Sequence, residues 1–234
     1  MIHYGIIGAM DEEVEVLEKE MKVHLEKEIA GLHFFQGLLE GKTVVLVRSG
    51  IGKVNAAVCA QILISEFKVE KIINTGVAGA IGEDLDILDI VVSTELQQYD
   101  VDAREFGYQL GEIPRMATSI FVSHPSLVEK AYAKGVKRFG EKEVTKGKIV
   151  SGDTFVSSSS MKHRLEKEFR ARCTEMEGAS IAQTCYMNRI PFVVIRTMSD
   201  KADGSANDNY KTFVEKAAFR SKELVKDIIS DENC

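Results

Sequence analysis

The residues in this chain best placed to do chemistry are carboxylates that follow strongly apolar segments. Ser199-Asp200 closes the run Ile190-Pro-Phe-Val-Val-Ile-Arg-Thr-Met198, whose Ile190 and Phe192–Ile195 have the β-branched and aromatic character of a buried strand. In an open α/β sheet, ligands bind in the crevice beyond the carboxyl ends of the strands. An acid held there against apolar residues keeps its proton to higher pH and can donate it. The plainer role for Asp200 is to cap a turn or the next helix. Glu175-Met-Glu177 leads into Gly178-Ala-Ser180, which sets a carboxylate pair beside small, apolar neighbours. Burial there is costly without partners. Vicinal hydroxyls are natural partners, because a carboxylate accepts two hydrogen bonds at once; helix-start acids in solvent are the alternative. Glu13, in Gly8-Ala-Met-Asp-Glu-Glu13, sits in a first helical turn. The helix dipole accounts for Asp11 and Glu12 there, and can account for Glu13 as well. Together Glu13, Glu177 and Asp200 are the equipment for cutting a glycosidic bond: a proton for the leaving group, a carboxylate for hydroxyls, and a carboxylate for water.

Glycine-rich segments accompany these acids. Asn74-Thr-Gly-Val-Ala-Gly79 follows the strand-like Lys71–Ile73 and reads as a turn at which backbone can approach a ligand closely. Its glycine spacing is not that of a dinucleotide fingerprint, and Ser49-Gly-Ile-Gly-Lys53 lacks the spacing of a P-loop. The latter still suits a helix N-terminus that meets an anion or a ribose.

The elements that must position these residues alternate between strand and helix. Strands are expected at Ile2–Gly8, Val23–Ile29, Leu32–Leu39 and Thr43–Ser49, with tight hairpin turns at Ala30-Gly31 and Glu40-Gly41. Further strands are expected at Lys71–Thr75, Leu88–Ser93, Lys148–Val150 and Cys173-Thr174. Helices are expected at Asp11–Met21, Ile51–Phe67, Pro125–Phe139, Met161–Phe169, Gly178–Asn188 and Asn209–Ile229. In the second of these, Ile51, Val54, Val58 and Ile62 fall on one stripe. Residues 96–118 read as a long irregular loop, too long to be idle. The pattern predicts a single domain over residues 1–234: an α/β fold of three layers, α/β/α, around a central mixed β-sheet.

With 234 residues, 44% hydrophobic and 28% charged, the chain can bury a sizeable core. A net charge of -6 without a basic tract argues against a nucleic-acid partner. No apolar run approaches the ~20 residues of a membrane span. Cysteines 59, 173, 185 and 234 form no CxxC pair, and the opening strand has no basic lead. Reduced thiols in a cytoplasmic protein are expected, with Cys59 and Cys185 as small core residues.

Taken in order, Gly8-Ala-Met-x-Glu-Glu13, Ser49-Gly-Ile-Gly-Lys-Val54, Asn74-Thr-Gly-x-Ala-Gly79, Phe106-Gly-Tyr108, Ser151-Gly-Asp-x-Phe155, Glu175-Met-Glu177 and Arg196-x-x-Ser-Asp200 closely resemble the bacterial 5'-methylthioadenosine/S-adenosylhomocysteine nucleosidases of the nucleoside phosphorylase superfamily. The resemblance covers essentially the whole chain. It implies a nucleoside phosphorylase-like fold and hydrolysis of a small-molecule 5'-substituted adenosine. Asp200 would protonate N7 of adenine with Ser199 orienting it. Phe155 would stack on the base, and the backbone of Val156 would bond its edge. Glu177 would hold the ribose hydroxyls with Met176 packed on the sugar, and Glu13 would activate water. Glu175 and Arg196 would support that side, while Met10, Ile51 and Tyr210 would line an alkylthio pocket. Phe106 and Pro114 would reach into the partner subunit's pocket in a homodimer. No metal or redox cofactor is implied. Val77 stands where the family often has Ser, near the expected water, which disfavours phosphate as the nucleophile. Gln98-Tyr99-Asp100 replaces a common Tyr-His-Asp. A purine nucleoside phosphorylase and a non-catalytic nucleoside-binding protein remain the rival readings, which fold alone does not separate.

Overall fold

A computed structural model describes residues 3–230, and its strands assemble into one ten-stranded mixed sheet. Ile2, the expected start of the first strand, lies outside the described residues. The strands are β1 (Tyr4–Gly8), β2 (Lys22–Ile29), β3 (Leu32–Leu39), β4 (Lys42–Arg48), β5 (Ile72–Ala80), β6 (Ile90–Gln98), β7 (Phe121–Val122), β8 (Val144–Ser151), β9 (Cys173–Glu175) and β10 (Phe192–Asp200). The helices are α1 (Asp11–Glu20), α2 (Lys53–Ser65), α3 (Pro125–Phe139), α4 (Ser159–Phe169), α5 (Gly178–Asn188) and α6 (Ala206–Ser230). Parallel β1, β4, β5 and β10 form the middle, and β2–β3–β4 continue it as an antiparallel meander. Both hairpin turns have two residues of positive φ, Ala30 and Gly31 at 54° and 73° and Glu40 and Gly41 at 49° and 76°. That is the mirror-image turn whose twist matches the strands it joins.

Alternation along the central strands produces the layers. Ile7, Val45, Val47, Ile72 and Val194 point to one face, where they pack with Ala56, Cys59, Ala60 and Leu63 of α2 and Ile181, Ala182 and Cys185 of α5. Ile6, Val44, Leu46, Ile73, Val193 and Ile195 point to the other, against Val14 and Leu17 of α1, Leu127 and Val128 of α3, and Leu224 and Ile228 of α6. Continuous apolar strands with helices on both faces follow from this period of two. One half of the sheet also closes on itself: β10 pairs with β5 on one side and β6 on the other, and β6–β8–β9–β5 complete the ring. Among the described residues no helix is long and apolar enough to cross a membrane.

The structure differs from the sequence expectations in specific ways. The segment Asn74–Gly79 is strand, not turn; its glycines serve close packing inside β5. Residues 96–98, assigned to a loop, extend β6 because Leu96, Gln97 and Gln98 find partners on β8. The strand expected at Lys148–Val150 runs from Val144 to Ser151 for the same reason. Asp200 ends β10 as expected, though across a register irregularity between Met198 and Asp200. The stripe of α2 that faces the core is Ala56, Cys59, Ala60 and Leu63; of the expected stripe Ile62 packs beside them, partly buried, whereas Ile51, Val54 and Val58 are exposed, Val54 by 74%. Small residues face α5 because the two helices approach closely in that layer.

Candidate active site

The carboxyl ends of β1, β5, β9 and β10 meet the N-termini of α1 and α5 and the first turns of α6 around a cavity of about 460 Å³. Its wall is mostly apolar, with Ala9, Met10, Ile51, Val77, Ala78, Phe155 and Met176. The convergent polar groups are Glu13, Glu175, Glu177, Ser199 and Asp200. Such a cavity, apolar with a few aimed polar groups, is the usual form of a small-molecule site.

Glu13 is the third residue of α1, and its side chain turns inward rather than to solvent. One oxygen accepts the amides of Ala9 at 2.5 Å and Met10 at 3.1 Å; the other accepts the amide of Val77 at 3.0 Å. A Cβ at residue 76 would stand 2.3 Å from Glu13 Oε1, so only glycine lets β5 pass this close. Burial pushes the Glu13 carboxyl above its ordinary range, against the opposing pull of Arg196 and the three amides. Raising a carboxyl makes its carboxylate the stronger base, and Glu13 lines the cavity where that base can meet a water.

Arg196 organises the neighbouring pair of acids. Its side chain is buried in β10 at 1% exposure; Nη2 donates to Asn74 Oδ1 at 2.6 Å and to Glu175. Glu175 is held further by the Ser151 hydroxyl and by the amides of Glu177 at 3.1 Å and Gly178 at 2.7 Å. Glu177 stands farther from the guanidinium, at 3.9 Å, and accepts the amide of Gly52 at 2.9 Å. Burial, then the neighbouring Glu175 carboxylate, push Glu177 up to about 8. Its second oxygen has room for hydroxyl donors from the cavity.

Asp200 meets β5 at Gly79, where a Cβ would stand 2.8 Å from its Oδ1. Its Oδ1 accepts the amide of Ala202 at 2.8 Å, and Ser199 Oγ donates to Oδ2 at 2.9 Å. Burial raises its pKa in spite of both bonds. Two carboxyls that burial raises and that line one cavity are the groups glycosidic cleavage needs, one to give a proton and one to take it. Phe155 meets Tyr210 edge-on at 5.8 Å, and the Tyr210 hydroxyl donates to Met10 Sδ at 3.1 Å, which closes the wall between them.

Of the residues expected from sequence, Met10, Glu13, Ile51, Val77, Phe155, Glu175, Met176, Glu177, Ser199, Asp200 and Tyr210 line the cavity. Val156 lines a pocket of about 30 Å³ that adjoins it at Phe155 and Asp200. Arg196 stands behind Glu175 rather than in the wall. Phe106 and Pro114 lie on the loop that follows β6 and do not line this chain's cavity; Phe106 is 83% exposed. Sequence reasoning missed the roles of Asn74, Ser151 and Gly52 as partners of the buried ions, though each sits inside a motif it had singled out. Thr174 and Asn207 of the wall carried no signal.

Fold and site together define a nucleoside-cleaving class of enzyme, and comparison with known proteins agrees. A sequence model of the phosphorylase superfamily matches residues 3–230. A 5'-methylthioadenosine/S-adenosylhomocysteine nucleosidase of Staphylococcus aureus is 42% identical over 97% of this chain and 98% of its own. The solved structure of the Neisseria meningitidis nucleosidase of the same name, in complex with methylthio-immucillin-A, superposes with a TM-score of 0.93 at 39% identity, covering 98% of this chain and 99% of that one. A futalosine hydrolase of Helicobacter pylori superposes with a TM-score of 0.92 at 35% identity, over 97% of each chain. The chain belongs to the phosphorylase superfamily, in its branch of 5'-methylthioadenosine/S-adenosylhomocysteine nucleosidases.

Proposed function

We propose that the protein hydrolyses the N-glycosidic bond of 5'-methylthioadenosine and S-adenosylhomocysteine, and of 5'-deoxyadenosine, releasing adenine and the free sugar. The observation that carries this reading is that Glu13, Glu177 and Asp200 line one cavity, Glu13 pressing on β5 at Gly76 and Asp200 pressing on it at Gly79. Asp200 gives its proton to N7 as the bond from the sugar's anomeric carbon to N9 breaks, so adenine leaves neutral. Ser199 keeps the acid oriented, Phe155 stacks on the base and the Val156 backbone bonds its edge. Glu177 holds the ribose hydroxyls with Met176 against the sugar. Glu13 takes a proton from the water whose oxygen bonds to the anomeric carbon. Arg196 and Glu175 hold Glu177 and its loop in register. Met10, Ile51 and Tyr210 form the apolar wall that suits a methylthio group. The reaction resets when Asp200 regains and Glu13 loses a proton to solvent.

Hydrolysis is favoured over phosphorolysis by Val77: its side chain offers no hydroxyl to phosphate, and its amide is committed to Glu13. The whole chain acts as one nucleosidase domain, in the cytoplasm, as a homodimer. Support for the dimer comes from Ile51, Val54 and Val58, exposed apolar residues of which Ile51 lines the cavity, and from Phe106, exposed on the loop after β6. In the dimer Phe106 and Pro114 complete the partner's pocket.

The test is incubation with 5'-methylthioadenosine, with and without phosphate, following adenine and the sugar. Phosphate-independent release of adenine and free methylthioribose is expected. Strict phosphate dependence with a sugar 1-phosphate product would make the enzyme a phosphorylase, and no adenine from any of the three nucleosides would leave a binding protein.

A further inference from the structure

One pair of buried hydroxyls is used by neither the core nor the cavity wall. Ser221 sits on the inward face of α6 among Ala217, Ala218, Leu224 and Val225, at 1% exposure. A hydroxyl in such company costs stability unless it is satisfied. Its Oγ donates to the carbonyl of Gly76 at 2.8 Å, and Thr197 Oγ1 on β10 lies 2.8 Å from the same Oγ. Since the Ser221 proton goes to the carbonyl, the Thr197 hydroxyl is the donor in the second bond.

The Gly76 carbonyl belongs to the peptide unit whose N–H is the amide of Val77, the donor to Glu13 Oε1. A trans peptide is planar, with its C=O and N–H pointing oppositely, so a bond that fixes the carbonyl also aims the amide. Gly76 and Val77 pair with Arg196 and Thr197 in the β5–β10 ladder, and the Ser221 bond adds an anchor from α6 to the same peptide unit, at a glycine, whose backbone is otherwise freer than that of other residues. We infer that Ser221, backed by Thr197, is a positioning residue for hydrolysis: from the far face of β5 it locks the Gly76–Val77 peptide so that the Val77 amide holds Glu13 in the orientation that receives the water proton. The inference rests on the reading of Glu13 as the water-activating carboxylate.

The consequence is measurable in the pH profile. With the peptide loose, Glu13 loses part of a carboxylate-stabilising bond and holds its proton to higher pH. The acidic limb of kcat, where turnover falls as Glu13 protonates, then moves upward. The other groups facing Glu13 are Arg196 from β10, Glu177 from the head of α5 and the Tyr210 phenol from α6, with Glu12 on its own helix. Neither substitution below alters them.

The experiment compares wild type with Ser221→Ala, Thr197→Val, the double variant and Glu13→Gln, on 5'-methylthioadenosine. Ser221→Ala is expected to lower kcat about tenfold, the scale of one hydrogen bond, with KM little changed. Its acidic limb shifts to higher pH. Thr197→Val keeps the side-chain shape and gives a smaller change in the same direction. The double variant is no worse than Ser221→Ala, because both act along one chain of bonds. If Ser221→Ala does not fold, Thr197→Val carries the test through its pH profile. Unmoved kcat and acidic limb in the folded variants, with Glu13→Gln inactive, overturn the inference alone; so does additivity of the two effects. Full turnover by Glu13→Gln overturns the role of Glu13, and the inference with it.

Discussion

Glu177→Gln should make the ligand-free protein more stable at mildly alkaline pH while removing its hold on ribose. The magnitude follows from the charges around it. Burial and the adjacent Glu175 move the Glu177 carboxyl from 4.5 to about 8, with only partial relief from Arg196 and the Gly52 amide. Arg196 loses little with it: Glu175 and Asn74, at 2.6 Å, hydrogen-bond the guanidinium, while Glu177, 3.9 Å away, adds only a longer-range attraction. Because the folded value lies above the unfolded one, the native state binds the extra proton between those two pH values, and stability falls as pH rises through that window. A displacement of that size corresponds to about 3 kcal/mol lost at neutral pH and about 4–5 kcal/mol once Glu177 is fully ionised. Gln is neutral throughout and keeps an oxygen for the Gly52 amide. Urea unfolding of the ligand-free variant should therefore show a gain of about 2–4 kcal/mol near pH 8, falling to about 1 kcal/mol or less near pH 5. Glu175→Gln is the contrast. It weakens the partner of a buried cation and should destabilise by about 3 kcal/mol or more at both pH values. No gain for Glu177→Gln at the higher pH, or an equal gain at both, would refute the reasoning.

The same site supports three further expectations. Asp200→Asn keeps an oxygen for the Ala202 amide, so it should fold and bind substrate yet lose turnover by ~100-fold or more; steady-state kinetics beside binding of an uncleaved analogue checks this. Gly76→Ala would set a methyl carbon 2.3 Å from Glu13 Oε1, displacing that carboxylate, and kcat should fall by ~100-fold with KM less affected. Binding of a nucleoside analogue with vicinal hydroxyls should release protons near pH 7, because two donors lower a Glu177 carboxyl that sits at about 8. Calorimetry in buffers of different ionisation enthalpy reads that release, and adenine alone should show none.

What could be read from the chain was whatever is local or periodic. The hairpins at Ala30-Gly31 and Glu40-Gly41, the apolar run into Ser199-Asp200 and the acids of Glu175-Met-Glu177 declare themselves through turn chemistry, alternation and the cost of burying charge. The partners that make those acids usable were hidden. Nothing local marks Asn74 as the acceptor for Arg196, or Ser151 as a donor to Glu175, because sheet pairing brings them together from distant segments. The glycines of Asn74–Gly79 looked like a turn, since the strand's need for them comes from Glu13 and Asp200 pressing on β5 from outside. Periodicity on α2 misled for a related reason: the larger apolar stripe is the exposed one, and close approach to α5 selects the smaller residues.

The position of β10 bears on how the protein is made. This strand, residues 192–200 of 234, is slotted between β5 and β6, both synthesised long before it. Until it emerges, facing edges of β5 and β6 have no partner there, and unpaired strand edges invite pairing with other chains. The nascent chain is therefore committed to carrying an open seam through a large part of its synthesis. The strand that finally closes the seam also delivers Arg196, Ser199 and Asp200, so a chain that stalls before it is at once adhesive and inert.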